Sequence, residues 1–176
     1  MSIKGHCILS HGFESGPDAT KVTALAEAAD ALGWSHERPD YTDLDARRDV
    51  SELGDVPARL ERLLGLARAA AADGPVVLAG SSLGAYISGI ASLQLPVAGL
   101  FLMAPPIRMG SAHPLQAAAV STSIVHGWRD ELIPADEVVM WAQARRDRLL
   151  LVDDNHRLAE HVESTKLAFA ALLAGL

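Results

Sequence analysis

The chain has 176 residues, 49% of them apolar and 21% charged, with 15 Lys and Arg against 22 Asp and Glu for a formal net charge of −7. That is enough sequence for one domain to bury a core without disulfides or metals, and too apolar a composition for a disordered segment. The acidic balance argues against nucleic acid or an anionic membrane as partner, since both require clustered Lys and Arg.

Short β-like and longer helical patterns alternate from end to end. Strands are expected at about Gly5–Leu9, Trp34–Arg38, Val76–Ala79, Gly99–Met103, Ser123–His126 and Arg148–Val152. Helices are expected at about Ala19–Leu32, Val56–Ala72, Leu83–Leu93, Ala135–Ala144 and Leu158–Leu173. The first two helices show apolar faces at helical spacing, Val22, Leu25, Ala26, Ala29 and Leu32 in one and Leu60, Leu63, Leu64 and Ala67 in the other. Such alternation predicts a three-layer α/β/α sandwich: a mainly parallel sheet of about six strands, covered by helices on both faces.

The single cysteine, Cys7, falls in the first strand and reads as a small buried hydrophobe. One cysteine makes no internal disulfide, and the first residues hold no apolar run of signal-peptide length, so a reducing, cytoplasmic setting is expected. Nothing in the chain marks a linker or an internal repeat, so one domain over residues 1–176 is expected. The charged stretch Glu37 to Asp55 reads as a solvated loop and helix lead-in.

Parallel sheets place their sites outside the carboxyl ends of the strands. After the third strand comes Gly80-Ser81-Ser82-Leu83-Gly84, a G-x-S-x-G pattern at a strand-to-helix turn. The turn holds a serine Oγ up at the sheet edge, and its strained backbone needs small residues two before and two after. Gly80 and Gly84 bracket Ser82 in that way and no such pair brackets Ser81, so Ser82 is the candidate nucleophile. The helix begun at Leu83 aims its N-terminal amides where a negative oxygen would form.

The other strand ends carry matching groups. Ser10-His11-Gly12-Phe13 follows the first strand, where a glycine turn aims the Phe13 N–H toward the same point as that of Leu83, making an oxyanion hole. After the fifth strand, Asp130 stands where a carboxylate accepts an imidazole Nδ1–H. After the last, His156 stands where a general base takes a proton from Ser82. The chain order Ser, Asp, His, each just past a strand, is the order of one kind of serine hydrolase.

With these residues the chain resembles a compact member of the α/β-hydrolase superfamily, most similar to small bacterial esterase-like enzymes. The match runs from His11-Gly12-Phe13 through Gly80–Gly84 and the His126-Gly127…Asp130…Ile133-Pro134 segment to His156. The resemblance implies a Ser82–His156–Asp130 triad, oxyanion amides on Phe13 and Leu83, and His11 and Gly12 shaping their turn. The extra antiparallel first strands of larger families are expected to be missing. The gap from Ala104 to Thr122 suits a loop or short helix but not a cap domain, which implies a minimal, lidless fold with an open, shallow site. Phe13, Tyr86, Pro105, Pro106, Ile107, Met109 and Trp128 are candidates to line it, with His11, Gly12, Tyr86 and Trp128 as candidate substrate contacts.

The expected activity is cleavage of small or exposed esters or thioesters through an acyl-enzyme, without cofactor or metal. The partner is then a small-molecule acyl substrate, and a homodimer is possible. Asp153 and Asp154 are alternative acids, and a metal site on His11, His126 and His156 would leave the serine turn unexplained. Two other functions fit the same residues: an idle binding module on this fold, and an acyltransferase, lyase or perhydrolase using the same site.

Overall fold

In the computed structural model, which describes residues 3–109 and 113–176, the chain order is β1 (His6–Ser10), α1 (Thr20–Ala31), β2 (Ser35–Glu37), α2 (Thr42–Asp45), α3 (Val56–Ala71), β3 (Val76–Ser81) and α4 (Leu83–Ala91). There follow β4 (Gly99–Met103), β5 (Arg108–Met109), β6 (His113–Pro114), β7 (Ser121–Gly127), α5 (Ala135–Arg145), β8 (Arg148–Val152) and α6 (Val162–Ala174). Six strands form one parallel sheet in the order β2-β1-β3-β4-β7-β8.

Strand residues alternate between two cores, as the period-2 geometry of a sheet buried on both sides requires. Ile8, Leu78, Leu100, Leu102 and Ile124 face Leu63 and Leu64 of α3, Ile87 of α4 and Val138 of α5. Cys7, Leu9, Val77, Phe101 and Val125 face Val22 and Leu25 of α1 and Phe169 and Leu172 of α6. Cys7 is fully buried, and burial pushes its thiol up to about 12, so it behaves as an apolar side chain rather than a nucleophile.

Four sequence expectations are corrected. The acidic stretch is not merely a solvated loop, because it contains α2 and buries Tyr41, Leu44 and Asp45. The inward face of the second helix is not purely apolar, because Arg59 is fully buried on it while Leu60 packs at the rim of the core. The last helix starts at Val162, because Leu158 packs into the core from a left-handed turn (φ 54°) followed by a single 3-10 turn. The β4–β7 connection carries the antiparallel β5–β6 ribbon instead of a plain loop or short helix, and its residues 110–112 lie outside the described residues.

The chain leaves β1 for β2 on one side and returns to β3 on the other, with Ser10 level with Gly80. Between them the covering helix changes face, α1 lying on one core and α3 on the other. A crevice therefore opens at the carboxyl ends of β1 and β3.

Candidate active site

Ser82 sits at that crevice on a strained turn, with φ 52° and ψ −115°. Non-glycine residues adopt such angles only when their surroundings enforce them. Here the enforcement is steric. A Cβ on Gly80 would lie 2.2 Å from the Gly84 carbonyl group, and a Cβ on Gly84 would lie 2.2 Å from the Ser10 carbonyl oxygen. The two glycines thus let β3, α4 and the end of β1 meet backbone to backbone. Gly80→Ala is expected to destabilise the fold by about 3 kcal/mol or more, since the clash is with main chain that has nowhere to go. Gly16→Ala, where an added Cβ meets nothing within 4 Å, is the matched control, and urea midpoints would compare them.

Two further strand ends complete the hydrogen-bond relay. His156, in the loop after β8, reaches Ser82 Oγ with its Nε2 at 3.0 Å and Asp130 Oδ2 with its Nδ1 at 2.8 Å. Asp130 follows β7, and its Oδ1 accepts the Leu132 and Ile133 amides at 2.9 and 2.8 Å. The Asp130 side chain is fully buried while that of His156 keeps 15% exposure. Burial pushes the Asp130 carboxyl up, but the His156 bond and the two amides outweigh it, leaving the group below its ordinary value. Beside it, His126 is buried, with Nε2–H donated to the Ile133 carbonyl at 3.0 Å and 3.6 Å from Asp130 Oδ2. Lys21 of α1 lies within the field of Asp130 and Asp154, and burial lowers its ammonium to about 8 against the pull of those carboxylates.

The alternative acids have other partners. Asp153 pairs with Arg129 at 2.6 Å on the surface. Asp154 is buried and accepts the Asn155 and Glu160 amides at 2.8 and 2.9 Å, with His161 Nδ1 at 3.2 Å. Burial raises its carboxyl, yet the His161 bond and the amides hold it below the ordinary carboxylate range. A depressed folded value means that the unfolded chain takes up the proton first. The stabilisation is therefore present above the ordinary carboxylate value and is lost as pH falls through the folded one. Asp154→Asn is expected to lower stability at pH 7 by about 1–2 kcal/mol, with the gap to wild type closing in acid; paired denaturant melts against pH read this directly.

The turn after β1 packs on the serine turn: a Cβ on Gly12 would lie 3.3 Å from the Ser81 carbonyl oxygen and 3.6 Å from Ser82 Cβ. Among the described residues, the Phe13 and Leu83 backbone amides have no acceptor. The Phe13 ring is partly covered by the Arg48 guanidinium, 4.5 Å above its centroid.

The candidate substrate contacts divide. His11 is fully buried and donates its Nδ1–H to the Gly12 carbonyl at 2.7 Å, while its Nε2 accepts the Tyr41 amide at 3.0 Å. Both ring nitrogens are used, so His11 serves the turn and is not presented to a ligand. Tyr86, Pro105, Pro106 and Ile107 are core residues, whereas Trp128 is 59% exposed and Phe13 and Met109 are partly exposed. Of the alternative metal trio, His11 and His156 have both ring nitrogens hydrogen-bonded and His126 has its Nε2 on the Ile133 carbonyl, and no group of three or more His, Cys, Asp or Glu is placed to hold a metal among the described residues. Missing from the sequence reading was Arg59, buried beside this turn at a position sharing a helix face with Leu63 and Ala67. That spacing was the available signal.

The chain is 67% identical, over 98% of its length and 100% of the other's, to a Xanthomonas campestris pv. campestris protein assigned to the hydrolases of the alpha/beta superfamily, with a TM-score of 0.97. It shares its fold with an alpha-beta serine hydrolase homologue from Coxiella burnetii, at 23% identity, 98% and 87% coverage and a TM-score of 0.76. The same holds for a lidless serine hydrolase from Xanthomonas campestris, at 19% identity, 99% and 84% coverage and a TM-score of 0.73. No protein-family model matches the chain, and neither does any curated protein. Among the described residues, no helix is long and apolar enough to cross a membrane.

Proposed function

The chain belongs to the α/β-hydrolase superfamily, and on that premise we propose that it is a serine hydrolase cleaving ester or thioester bonds of small or exposed acyl substrates. The observation that carries the reading is the pair of bonds made by His156, 3.0 Å to Ser82 Oγ and 2.8 Å to Asp130. A base between a hydroxyl and a buried carboxylate is the arrangement that activates a serine.

Ser82 Oγ attacks the acyl carbonyl as its proton passes to His156 Nε2. The oxyanion that forms is held by the Phe13 and Leu83 amides, each worth about 3–4 kcal/mol of barrier. His156 returns the proton to the departing alcohol or thiol, leaving an acyl-Ser82. A water that gives its proton to His156 then attacks the acyl group, and collapse of the second tetrahedral adduct frees the acid and restores Ser82–OH. Asp130 keeps His156 in the tautomer with Nε2 bare and stabilises the imidazolium in both halves.

Labelling with a fluorophosphonate probe tests the reading, with p-nitrophenyl acetate and matched acetyl thioesters supplying rates. Covalent labelling of Ser82 with turnover of either ester supports it. A folded protein that neither labels nor turns over either ester rejects it in favour of an idle binding module.

A further inference from the structure

Arg59 is among the largest fully buried side chains of the described residues, and it lies beneath the turn that carries Phe13. Its guanidinium grips Asp45 through both oxygens, Nε to Oδ1 at 2.6 Å and Nη2 to Oδ2 at 2.7 Å. Two further donors go to that turn, Nη1 to the His11 carbonyl at 3.0 Å and Nη2 to the Gly12 carbonyl at 3.1 Å. Asp45 Oδ2 in turn accepts the Glu14 amide at 3.0 Å. The ion pair therefore holds the main chain on both sides of Phe13.

One of these contacts bears on the chemistry directly. The Gly12 carbonyl and the Phe13 amide belong to the same peptide unit, and in a planar trans peptide C=O and N–H point in opposite directions. Fixing the Gly12 oxygen on Arg59 and on His11 Nδ1 fixes where the Phe13 N–H points. Glu14 has a φ of 53°, so the next peptide is turned away in a conformation that a free loop would seldom keep. Tyr41 completes the platform: the Arg59 guanidinium stacks 4.5 Å above its ring, and its hydroxyl is 3.0 Å from Ser10 Oγ. A desolvated Arg–Asp pair adds little stability over an apolar pair of the same volume. What an apolar pair cannot do is hold the His11 and Gly12 carbonyls and the Glu14 amide in fixed directions.

We infer that Arg59, anchored by Asp45, is a positioning residue that sets the direction of the Phe13 N–H through the Gly12 carbonyl. This rests on the reading of Phe13 as an oxyanion donor. Without the guanidinium the peptide is free to swing, and stabilisation is lost in the transition state while substrate binding is not.

The test is steady-state kinetics with p-nitrophenyl acetate on wild type, Arg59→Lys and the double variant Arg59→Met/Asp45→Leu, with inhibition by an aryl trifluoromethyl ketone measured in parallel. The double variant leaves no uncompensated buried charge, whereas Arg59→Met alone would strand the Asp45 carboxylate, and Arg59→Lys keeps the charge but loses the fork of donors. Expected are kcat values lower by about 10²-fold, bounded by the 10²–10³ that a lost oxyanion donor costs, with KM within about two-fold of wild type. Affinity for the ketone, whose adduct carries the oxyanion, should fall in step with kcat. A cooperatively folded double variant with wild-type kcat overturns the inference, as does a loss in KM alone. Failure of both variants to fold also overturns it, because the pair would then be a general prop of the fold. An inert wild type rejects instead the serine-hydrolase reading, so the two failures are separable.

Discussion

Replacing Ser82 with alanine is expected to lower kcat for p-nitrophenyl acetate by about 10⁶-fold, the size of loss seen when a serine nucleophile of this kind is removed. The magnitude follows from Ser82 Oγ being the hydroxyl that His156 Nε2 hydrogen-bonds among the described residues. Ser81, next in sequence, ends β3 and is buried, so it does not substitute. The fold should survive, because the Ser82 side chain makes no helix-cap bond and its 3.0 Å contact is with a partly exposed imidazole. The measurement is turnover and fluorophosphonate labelling on a variant whose circular dichroism and melting match wild type. Undiminished turnover in that variant removes Ser82 from the mechanism.

Asp130→Asn is the second large effect, expected at about 10⁴-fold in kcat. The carboxylate is fully buried and accepts from three directions, the His156 Nδ1–H and two main-chain amides. An asparagine keeps the shape but presents an NH₂ or an oxygen that is already spoken for by those amides. His156 is then driven to carry its proton on Nε2, where it can no longer accept one from Ser82. Because the Asp130 carboxyl lies below its ordinary value, it stays ionised through mildly acidic pH, and its own protonation does not shape the acid limb of the rate profile. Asp153→Asn and Asp154→Asn should leave kcat within a few-fold, since neither carboxylate contacts His156. A larger loss at Asp154 than at Asp130 would reassign the acid.

Much of this was readable residue by residue. The Gly99–Met103 and Arg148–Val152 strands fall where the sequence predicts, the first as a fully buried central run and the second as a half-exposed edge strand, because runs of five residues are too short for a core helix. The Gly80/Gly84 bracket named Ser82 over Ser81, and the 2.2 Å approaches show why only glycine serves there. Leu158 misled: its apolar character fits a helical face, but Asp154 binds the Glu160 amide and delays the helix to Val162. Asp45 and Arg59 were hidden because charge in a local window reads as solvation, and only the fold brings them together beneath the Phe13 turn.

The order of the six sheet strands and the five long helices, the two-sided burial of the sheet, the strained serine turn and the succession Ser, Asp, His at strand ends were all written in the sequence. These depend on periodicity and sterics within a few residues of chain. Tertiary structure alone decided that Nε2 of His156 meets a serine 74 residues away, that Asp130 rather than Asp153 or Asp154 is its partner, and that His11 faces inward. Those outcomes depend on strand order, register and desolvation, which are properties of the packed chain and of no segment within it.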